Sequence, residues 1–284
     1  MKKKDSQIHI CIDADEKRTE LGLKEVWAYR DLILLLSRKK FFLLYKQTIL
    51  GPIWAFLTPI ITSIIYTIVF GRIAHIETGT VPQLLFYLTG NALWNYVATC
   101  ITENANLFHA NVHLFGKVYF PRLSVPISNM IVCLWRLLLQ FVPVILCLVW
   151  FIIRGEVHPH YSLWLLLPLI LLLLGVIGMD IGLICSSQTT KYRDLMMVIP
   201  FLVQAAMYLT PVIYPASQFL SGGLQGMLWI NPLTAPIEAF RYILLGEGTV
   251  SAGGLIWSLA FTSGGFLLGV ILFNRVEKTF MDTI

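Results

Sequence analysis

Long stretches without Asp, Glu, Lys or Arg are the feature that most limits what this 284-residue chain can fold into. Ionised side chains are costly in hydrocarbon, and a membrane-crossing helix needs about 20 apolar residues, so such stretches mark possible crossings. Five of them fit one helix each: Gln47–Gly71, Thr78–Thr102, Leu137–Ile153, Val157–Met179 and Gly248–Asn274. Only 13% of the residues are charged and 57% are apolar. Soluble domains carry roughly 25% charged residues, so the composition excludes an ordinary soluble enzyme and a disordered protein.

A sixth charge-free stretch, Leu195–Ile237, is broken by five prolines and three glycines. Such breakers fit one crossing followed by a segment that enters the membrane without passing through it. We therefore predict an all-α polytopic membrane protein with six transmembrane helices and a re-entrant external segment at about 218–245. The predicted helices lie at about 50–73, 83–107, 126–153, 162–187, 195–214 and 252–274, within a transmembrane domain at 47–284.

The distribution of Lys and Arg predicts the orientation. With six crossings, the two termini and two of the loops lie on one side of the membrane and carry 17 of the 21 basic residues. The positive-inside rule places that side, with both termini, in the cytoplasm. The net charge of +5 is explained if these basic residues contact anionic membrane lipid and cytosolic partners. We therefore expect no nucleic-acid partner.

The chain before the first crossing divides into two parts. Residues 1–22 form a polar tail without an apolar core, so a cleavable signal peptide is not expected. Residues 23–46 mix aromatic and aliphatic residues with Lys and Arg, a pattern typical of a helix lying in the membrane interface. A cytosolic helix of a small soluble domain is the alternative, although about 50 residues are few for an independent core.

The sequence contains no motif for nucleotide or metal chemistry. It has no Gly-x-x-x-x-Gly-Lys-Ser/Thr, His-Glu-x-x-His or Cys-x-x-Cys motif, so we predict no catalytic residue, no metal site and no cofactor bound by this chain. His109 and His113 have helical i,i+4 spacing but no nearby third ligand, which favours a simple loop pair. The five scattered cysteines do not suggest a disulfide framework.

Two charged residues interrupt predicted spans at similar depths. Arg136 and Asp180 each lie nine residues from the predicted cytoplasmic end of their helix, roughly 13 Å deep. Because consecutive helices are usually neighbours, we predict a buried Arg136–Asp180 ion pair. In the alternative, Arg136 extends toward the headgroups and Asp180 faces a water-filled vestibule.

Polar and aromatic side chains at near-helical spacing predict a path for a sugar substrate. Aromatic rings stack on the apolar faces of pyranoses, while hydroxyl and amide groups bond their edges. Helix packing and an interfacial aromatic belt are the alternative roles. The candidate substrate-channel residues are Trp54, Thr58, Thr62, Tyr66, Asn91, Trp94, Asn95, Gln204 and Tyr208.

Several stretches resemble the membrane (permease) subunits of type-2 ABC exporters for polysaccharides, the family that exports O-antigen, capsule and teichoic acid. The longest are Tyr45–Trp54, Lys117–Arg122 and Thr210–Tyr214. Shorter matches keep the same order along the chain: Pro59, Val69–Gly71, Gly90, Trp94, Arg193, Asp194, Pro200, Asn231, Pro232, Phe240, Arg241 and Phe273–Phe280.

The resemblance implies a function and partners. Two copies of the chain would form a homodimer and associate with two copies of a separate cytosolic ATP-binding subunit, which holds ATP and Mg. The complex would export a lipid-linked polysaccharide, O-antigen-like or teichoic-acid-like, across the cytoplasmic (inner) membrane of a bacterium. The loop at 109–122 would be the coupling helix, with His109, His113, Lys117, Tyr119 and Arg122 at the ATPase. Asn231, Glu238 and Arg241 would belong to an external gate region.

Three other classes of protein compete with this interpretation. An integral-membrane enzyme acting on a lipid-linked sugar would need an acid, a base or a nucleophile, for which Glu103, His109 and Glu238 are the candidates. A drug or small-lipid exporter of the same superfamily could use the same fold. A secondary transporter is disfavoured because no inverted repeat with paired broken helices is visible.

Overall fold

The structure is a computed structural model that describes residues 23–46, 48, 51, 53–115, 120–219 and 225–282. The described residues form twelve α-helices joined by short connections. In chain order they are α1 (Leu23–Ala28), α2 (Arg30–Tyr45), α3 (Ile53–Tyr66), α4 (Gln83–Ala105), α5 (Leu107–Ala110), α6 (Val112–Phe115), α7 (Ser124–Ile153), α8 (Leu167–Thr189), α9 (Leu195–Ala206), α10 (Gln225–Ile230), α11 (Thr234–Leu245) and α12 (Ala252–Asp282). A π-helical segment, Thr67–Ile73, continues α3, and 3-10 segments lie at Tyr161–Leu166, Met207–Leu209 and Ala216–Phe219.

Four of the described helical stretches are long and apolar enough to cross a membrane: Ile53–Ile73, Ser124–Ile153, Tyr161–Thr189 and Ala252–Val276. Together with the all-helical character of the described residues, they confirm a polytopic membrane protein. The predicted second span corresponds to α4, which is long enough but more polar. The predicted fifth span corresponds to the shorter apolar stretch Leu195–Leu209. The number of crossings therefore stays a prediction.

Helix α4 is the centre of the bundle. Its residues Leu85, Leu93 and Val97 are fully buried, and α3, α7, α8 and α9 all pack against it. Glycines on α8 allow the closest approach: a Cβ at Gly178 would lie 2.8 Å from Cβ of Cys100. Small residues at such positions let helix backbones approach in membranes. Helix α12 also packs on α8, and here the glycines are on α12: a Cβ at Gly269 would lie 3.3 Å from Cβ of Leu183.

The N-terminal helices dock on the bundle through one face. The chain bends at Tyr29, between α1 and α2, and α2 buries Ile33 and Ser37. The Ser37 hydroxyl donates to the Ile33 carbonyl at 2.8 Å and lies 3.2 Å from the Ser128 hydroxyl on α7. The opposite face exposes large apolar side chains such as Phe42. The placement of this helix in the membrane interface stays a prediction.

Two short helices occupy most of the segment predicted to be re-entrant. The longer one, α11, has 12 residues and therefore a length of about 18 Å, too short to cross the roughly 30 Å of hydrocarbon. Nearly every residue of α11 is buried, including Glu238 and Arg241. Its end at Gly246 has a φ of 84°, a left-handed conformation that glycine adopts readily. The segment thus folds back into the protein.

Candidate functional site

A polar cavity of about 240 Å³ lies where α2 ends and where α3, α4 and α7 meet. It combines two aromatic rings, two threonine hydroxyls, two amides and one guanidinium from four separate segments of the chain. The lining residues are Tyr45, Trp54, Ala55, Thr58, Pro59, Asn95, Thr99, Arg136 and Gln140. Three of the predicted channel residues, Trp54, Thr58 and Asn95, therefore come together here. We call this space the Arg136 cavity.

A chain of amide hydrogen bonds fixes the α3–α4 wall of the Arg136 cavity. The Asn91 side chain donates to the carbonyl oxygen of Pro59 at 3.4 Å. Asn95, one turn further along α4, donates to the Asn91 side-chain oxygen at 3.3 Å. The i,i+4 spacing of the two asparagines thus gives them a shared face. That face binds Asn91 to α3 and leaves Asn95 at the cavity.

The α7 wall carries the charge of the cavity. Arg136 and Gln140 are one helical turn apart, and both line the space. Arg136 makes no hydrogen bond or ion pair with any residue in the described part of the chain. Its charge acts on Tyr45 across the cavity: burial raises the pKa of the Tyr45 hydroxyl, and the guanidinium partly offsets that rise. Gln140 is only 9% exposed, and its Oε1 is buried without a partner among the described residues.

The predicted Arg136–Asp180 ion pair is wrong. Both carboxylate oxygens of Asp180 are buried without a hydrogen-bond partner in the described structure. Helix α4 lies between α7 and α8, so the two consecutive helices contact it much more than each other. Asp180 faces α12 instead, where a Cβ on Gly265 would lie 3.4 Å from its Oδ2. The prediction failed because it took neighbours in sequence for neighbours in space.

Four of the other predicted channel residues lie outside the Arg136 cavity. Tyr66 on α3 and Gln204 on α9 both approach Met207: the Tyr66 hydroxyl is 3.7 Å and the Gln204 Nε2 4.0 Å from its Sδ. Tyr208, in the 3-10 segment after α9, is exposed. Thr62 lies on the exposed side of α3, where its hydroxyl donates to the Thr58 carbonyl at 2.9 Å.

Two members of the predicted set do not fit a channel role. Asn91 and Trp94 are 3% and 2% exposed within a single protomer, so neither side chain can line an open path. They pack inside the core around α4. The polar character of Asn91 serves its bond to α3, and Trp94 fills core volume.

The predicted coupling segment contains two short helices, α5 and α6, on an aromatic base. The ring of Phe108 lies 5.0 Å from that of Phe273 on α12, and the Arg122 guanidinium lies 5.7 Å from the centre of the Phe115 ring. His109 is partly buried, and its pKa is lowered, mainly by this burial and to a smaller extent by the charge of Arg193. Lys117, Tyr119 and the side chain of His113 lie outside the described residues.

The predicted gate residues are bound tightly to the end of the α9 segment. Arg241 donates to the carbonyl oxygens of Pro211 and Val212, the latter at 2.7 Å, and pairs with Glu238 at 3.3 Å. Asn231 donates to the Thr210 hydroxyl at 2.8 Å. These bonds join α10 and α11 to the loop after α9 as one unit, which we call the Arg241 clasp.

The groups that an integral-membrane enzyme would need are not assembled. Glu103 pairs with Lys40 at 2.7 Å, whereas Glu238 belongs to the Arg241 clasp. Arg241 packs on Gly90. Because Gly90 and Glu103 are 13 residues apart on α4, these two carboxylates lie about 20 Å apart along the helix. Among the described residues, no group of three His, Cys, Asp or Glu could hold a metal ion.

Sequence reasoning missed several cavity residues. Tyr45, Thr99 and Gln140 are single polar residues in separate segments, and only the fold brings them together. A usable signal existed for Gln140, which follows Arg136 by one turn in an otherwise apolar helix. The Lys40–Glu103 pair, 63 residues apart, had no such signal.

The apolar helices, the buried central α4 and the polar cavity define a multi-pass α-helical membrane protein. A family model described as "ABC-2 type transporter" matches residues 31–245, and the chain belongs to that family. It is 25% identical over 258 residues to the O-antigen export system permease protein RfbA of Klebsiella pneumoniae, covering 89% of this chain and 95% of that protein. RfbA of Myxococcus xanthus is 24% identical over 224 residues, covering 78% and 83%. The polysialic acid transport protein KpsM of Escherichia coli is 24% identical over 235 residues, covering 82% and 89%. The family resemblance inferred from the sequence is confirmed.

Proposed function

We propose that this chain is the transmembrane subunit of an ATP-driven exporter that moves a lipid-linked polysaccharide across the cytoplasmic membrane of a bacterium. The observation that carries the proposal is the match to permease proteins of O-antigen and polysialic acid export along most of both chains. The Arg136 cavity supports it, because its rings, hydroxyls and amides suit a sugar better than an apolar drug. O-antigen-like and teichoic-acid-like glycans both fit this class.

In the proposed exporter, a separate subunit hydrolyses ATP. The sequence contains no P-loop motif, and the proposed partner is a separate ATP-binding subunit that would hold ATP and Mg. In the proposed complex, two copies of this chain form a homodimer around the path of the glycan, and two ATP-binding subunits bind the cytoplasmic face. The exposed apolar surfaces of α3 and α9, with Ile65 and Phe201, are suited to lipid or to the second copy.

Six crossings with both termini in the cytoplasm complete the proposal. Helix α4 supplies the second crossing because it is 23 residues long and enclosed by other helices, so its polar residues do not face lipid. The fifth crossing consists of α9, its 3-10 extension to Leu209 and the non-helical residues up to Tyr214, and the Arg241 clasp satisfies carbonyl groups of this non-helical part. This arrangement keeps most basic residues on the cytosolic side.

Deletion and complementation in the native bacterium test the function. Loss of the chain should leave the lipid-linked glycan inside the cell, and the plasmid-borne chain should restore it to the surface, measured by a surface lectin and by total glycan after lysis. A variant of the partner ATPase lacking its P-loop lysine is the control for ATP dependence. Unchanged surface glycan after deletion, or loss of glycan synthesis, would contradict the proposal and favour a drug exporter or an enzyme.

A further inference from the structure

We infer that the Arg136 cavity binds the phosphate-linked sugar of the substrate, with Arg136 on the phosphate and Trp54 against the sugar ring. This inference rests on the proposed function and goes beyond it, because it assigns a ligand class and a position to a particular set of side chains. It makes the cavity a recognition site for the junction between lipid carrier and glycan.

The positive charge of Arg136 indicates that the ligand carries an anionic group. Arg136 makes no hydrogen bond or ion pair with a described residue, although it lies in the middle of the 30-residue helix α7. Arg136 is only partly buried in the single protomer, but it lies within the predicted third span, where a cation is costly unless an anion or hydrogen-bond acceptors meet it. Lys40 provides the contrast, because Glu103 and Asn129 already bind its ammonium group at 2.7 and 2.8 Å. A phosphate oxygen would supply Arg136 with the missing charge-assisted hydrogen bonds.

The other polar groups of the cavity indicate that the ligand carries hydroxyl groups that donate hydrogen bonds. The Thr58 hydroxyl donates to the Trp54 carbonyl at 3.2 Å, and the Thr99 hydroxyl donates to the Asn95 carbonyl at 2.6 Å. The oxygens of these two threonines are therefore left as acceptors. One cation beside several acceptors matches a ligand that combines a phosphate with sugar hydroxyls.

The size and the walls of the cavity agree with one sugar ring. Its volume of about 240 Å³ is below the roughly 300–1,000 Å³ typical of sites for drug-sized ligands. Trp54 is 49% exposed, so its ring face is available at the mouth, with Tyr45 on the adjoining wall. A ring stacked on Trp54 would place its phosphate within the polar interior. The remainder of the glycan and the lipid would extend out of the open side.

Three matched amphiphiles test the ligand class. The probes are octyl glucosyl phosphate, octyl phosphate and octyl glucoside, each titrated by calorimetry into the exporter complex in phosphatidylcholine nanodiscs. We expect octyl glucosyl phosphate to bind at least tenfold more tightly than either of the others, since it alone supplies both the anion and the hydroxyls. Addition of phosphatidylglycerol to the nanodiscs should not displace it, because bulk lipid headgroups lack the sugar ring.

Variants locate the binding. Arg136→Gln should weaken the octyl glucosyl phosphate probe roughly tenfold to a hundredfold, the range for a lost hydrogen bond to a charged group. Arg136→Lys should recover part of that loss, and Trp54→Ala should weaken octyl glucosyl phosphate while leaving octyl phosphate unchanged. The matched control is Arg154→Gln at the other end of the same helix, where Arg154 is exposed and lies over the ring of Trp150. It removes the same charge and should have no effect.

Equal binding of octyl phosphate, or competition by phosphatidylglycerol, would overturn the inference in favour of a lipid headgroup site. Equal binding of octyl glucoside, or unchanged binding by Arg136→Gln, would overturn the role of the phosphate. Either result can occur in a complex that still exports glycan in the deletion strain, and the proposed function would then stand alone. If the complex exports no glycan, the proposed function fails regardless of how the probes bind.

Discussion

The guanidinium of Arg241 lies 3.3 Å from the carboxylate of Glu238, one turn earlier on α11, and both side chains are almost fully enclosed, at 1% and 2% exposure. The carboxylate also accepts from the backbone amides of Ala216 and Thr249, at 3.4 and 2.9 Å. The guanidinium lies 3.8 Å from the centre of the Phe86 ring on α4. This pair therefore fastens α11 to the chain on both sides of it and to the central helix.

Breaking the Arg241 clasp should prevent stable folding. Glu238→Gln leaves the buried guanidinium without its counter-charge, and Arg241→Met leaves a buried carboxylate, each at a cost of about 3–5 kcal/mol. We expect a sharp loss of folded yield by fluorescence-detected size exclusion and a lower Tm for either variant. The double variant Glu238→Gln/Arg241→Met should lose less than the sum of the two. Strictly additive losses would show that the ion pair is not what stabilises the segment.

Close approach of α8 to α4 predicts a size limit at Gly182. A Cβ there would lie 2.6 Å from Cβ of Asn104 and 2.9 Å from the Ile101 carbonyl, so Gly182→Ala should separate the helices and cost about 1–3 kcal/mol. Gly264→Ala on α12 is the matched control, since a Cβ there meets no described atom within 4 Å. The control should be neutral or slightly stabilising. Equal Tm values for the two variants would contradict the packing.

The isolation of Asp180 predicts that its charge contributes nothing to folding. Asp180→Asn should keep the folded yield of the wild type or raise it, because an unpaired buried carboxyl is replaced by a neutral group of the same shape. Exchange of the two charges, Arg136→Asp with Asp180→Arg, should give no rescue relative to the single variants. Folded yield in the membrane fraction measures both outcomes. Rescue by the exchange would restore the ion pair that the sequence suggested.

The contact of Lys40 with Glu103 and Asn129 joins α2 to α4 and α7, and predicts a role in transmission of motion. Both members of the ion pair are about one third exposed, so Lys40→Met should cost roughly 1 kcal/mol or less in stability. Export should nevertheless fall severalfold, because α2 loses its polar link to the bundle. Lys39→Met, the exposed neighbour, is the control. Export equal to that of the control would remove Lys40 from the coupling path.

Helix positions were predictable because they depend on local composition. The stretch predicted at 126–153 is a helix at Ser124–Ile153, and the one predicted at 83–107 is a helix at Gln83–Ala105. Charge-free runs indicate which helices lie in hydrocarbon, and the Gly and Pro residues between them indicate where the backbone turns. Both signals are local, because each depends only on residues within or next to the helix, and a single sequence therefore suffices to detect them.

Helix neighbours were not predictable in the same way. Which helix lies beside α8 depends on shape: Gly178 and Gly182 bring α8 against α4, whereas Gly265 and Gly269 bring α12 against α8. Their small-xxx-small spacing is visible in the sequence, but it does not name the partner. The same limit applies to the cavity: Trp54, Thr58 and Asn95 were predictable as polar members of apolar helices, whereas Tyr45 and Gln140 join them only through the fold.

Transport by purified components is the most direct test that this chain is the transmembrane subunit of an ATP-driven glycan exporter. The chain is reconstituted with its ATP-binding partner in proteoliposomes whose outer leaflet contains the radiolabelled lipid-linked glycan, and protection of the label from an added glycosidase is followed over time. We expect protection to increase only when the chain, the partner, ATP and Mg are all present. Protection without ATP, or ATP hydrolysis by this chain alone, would contradict it.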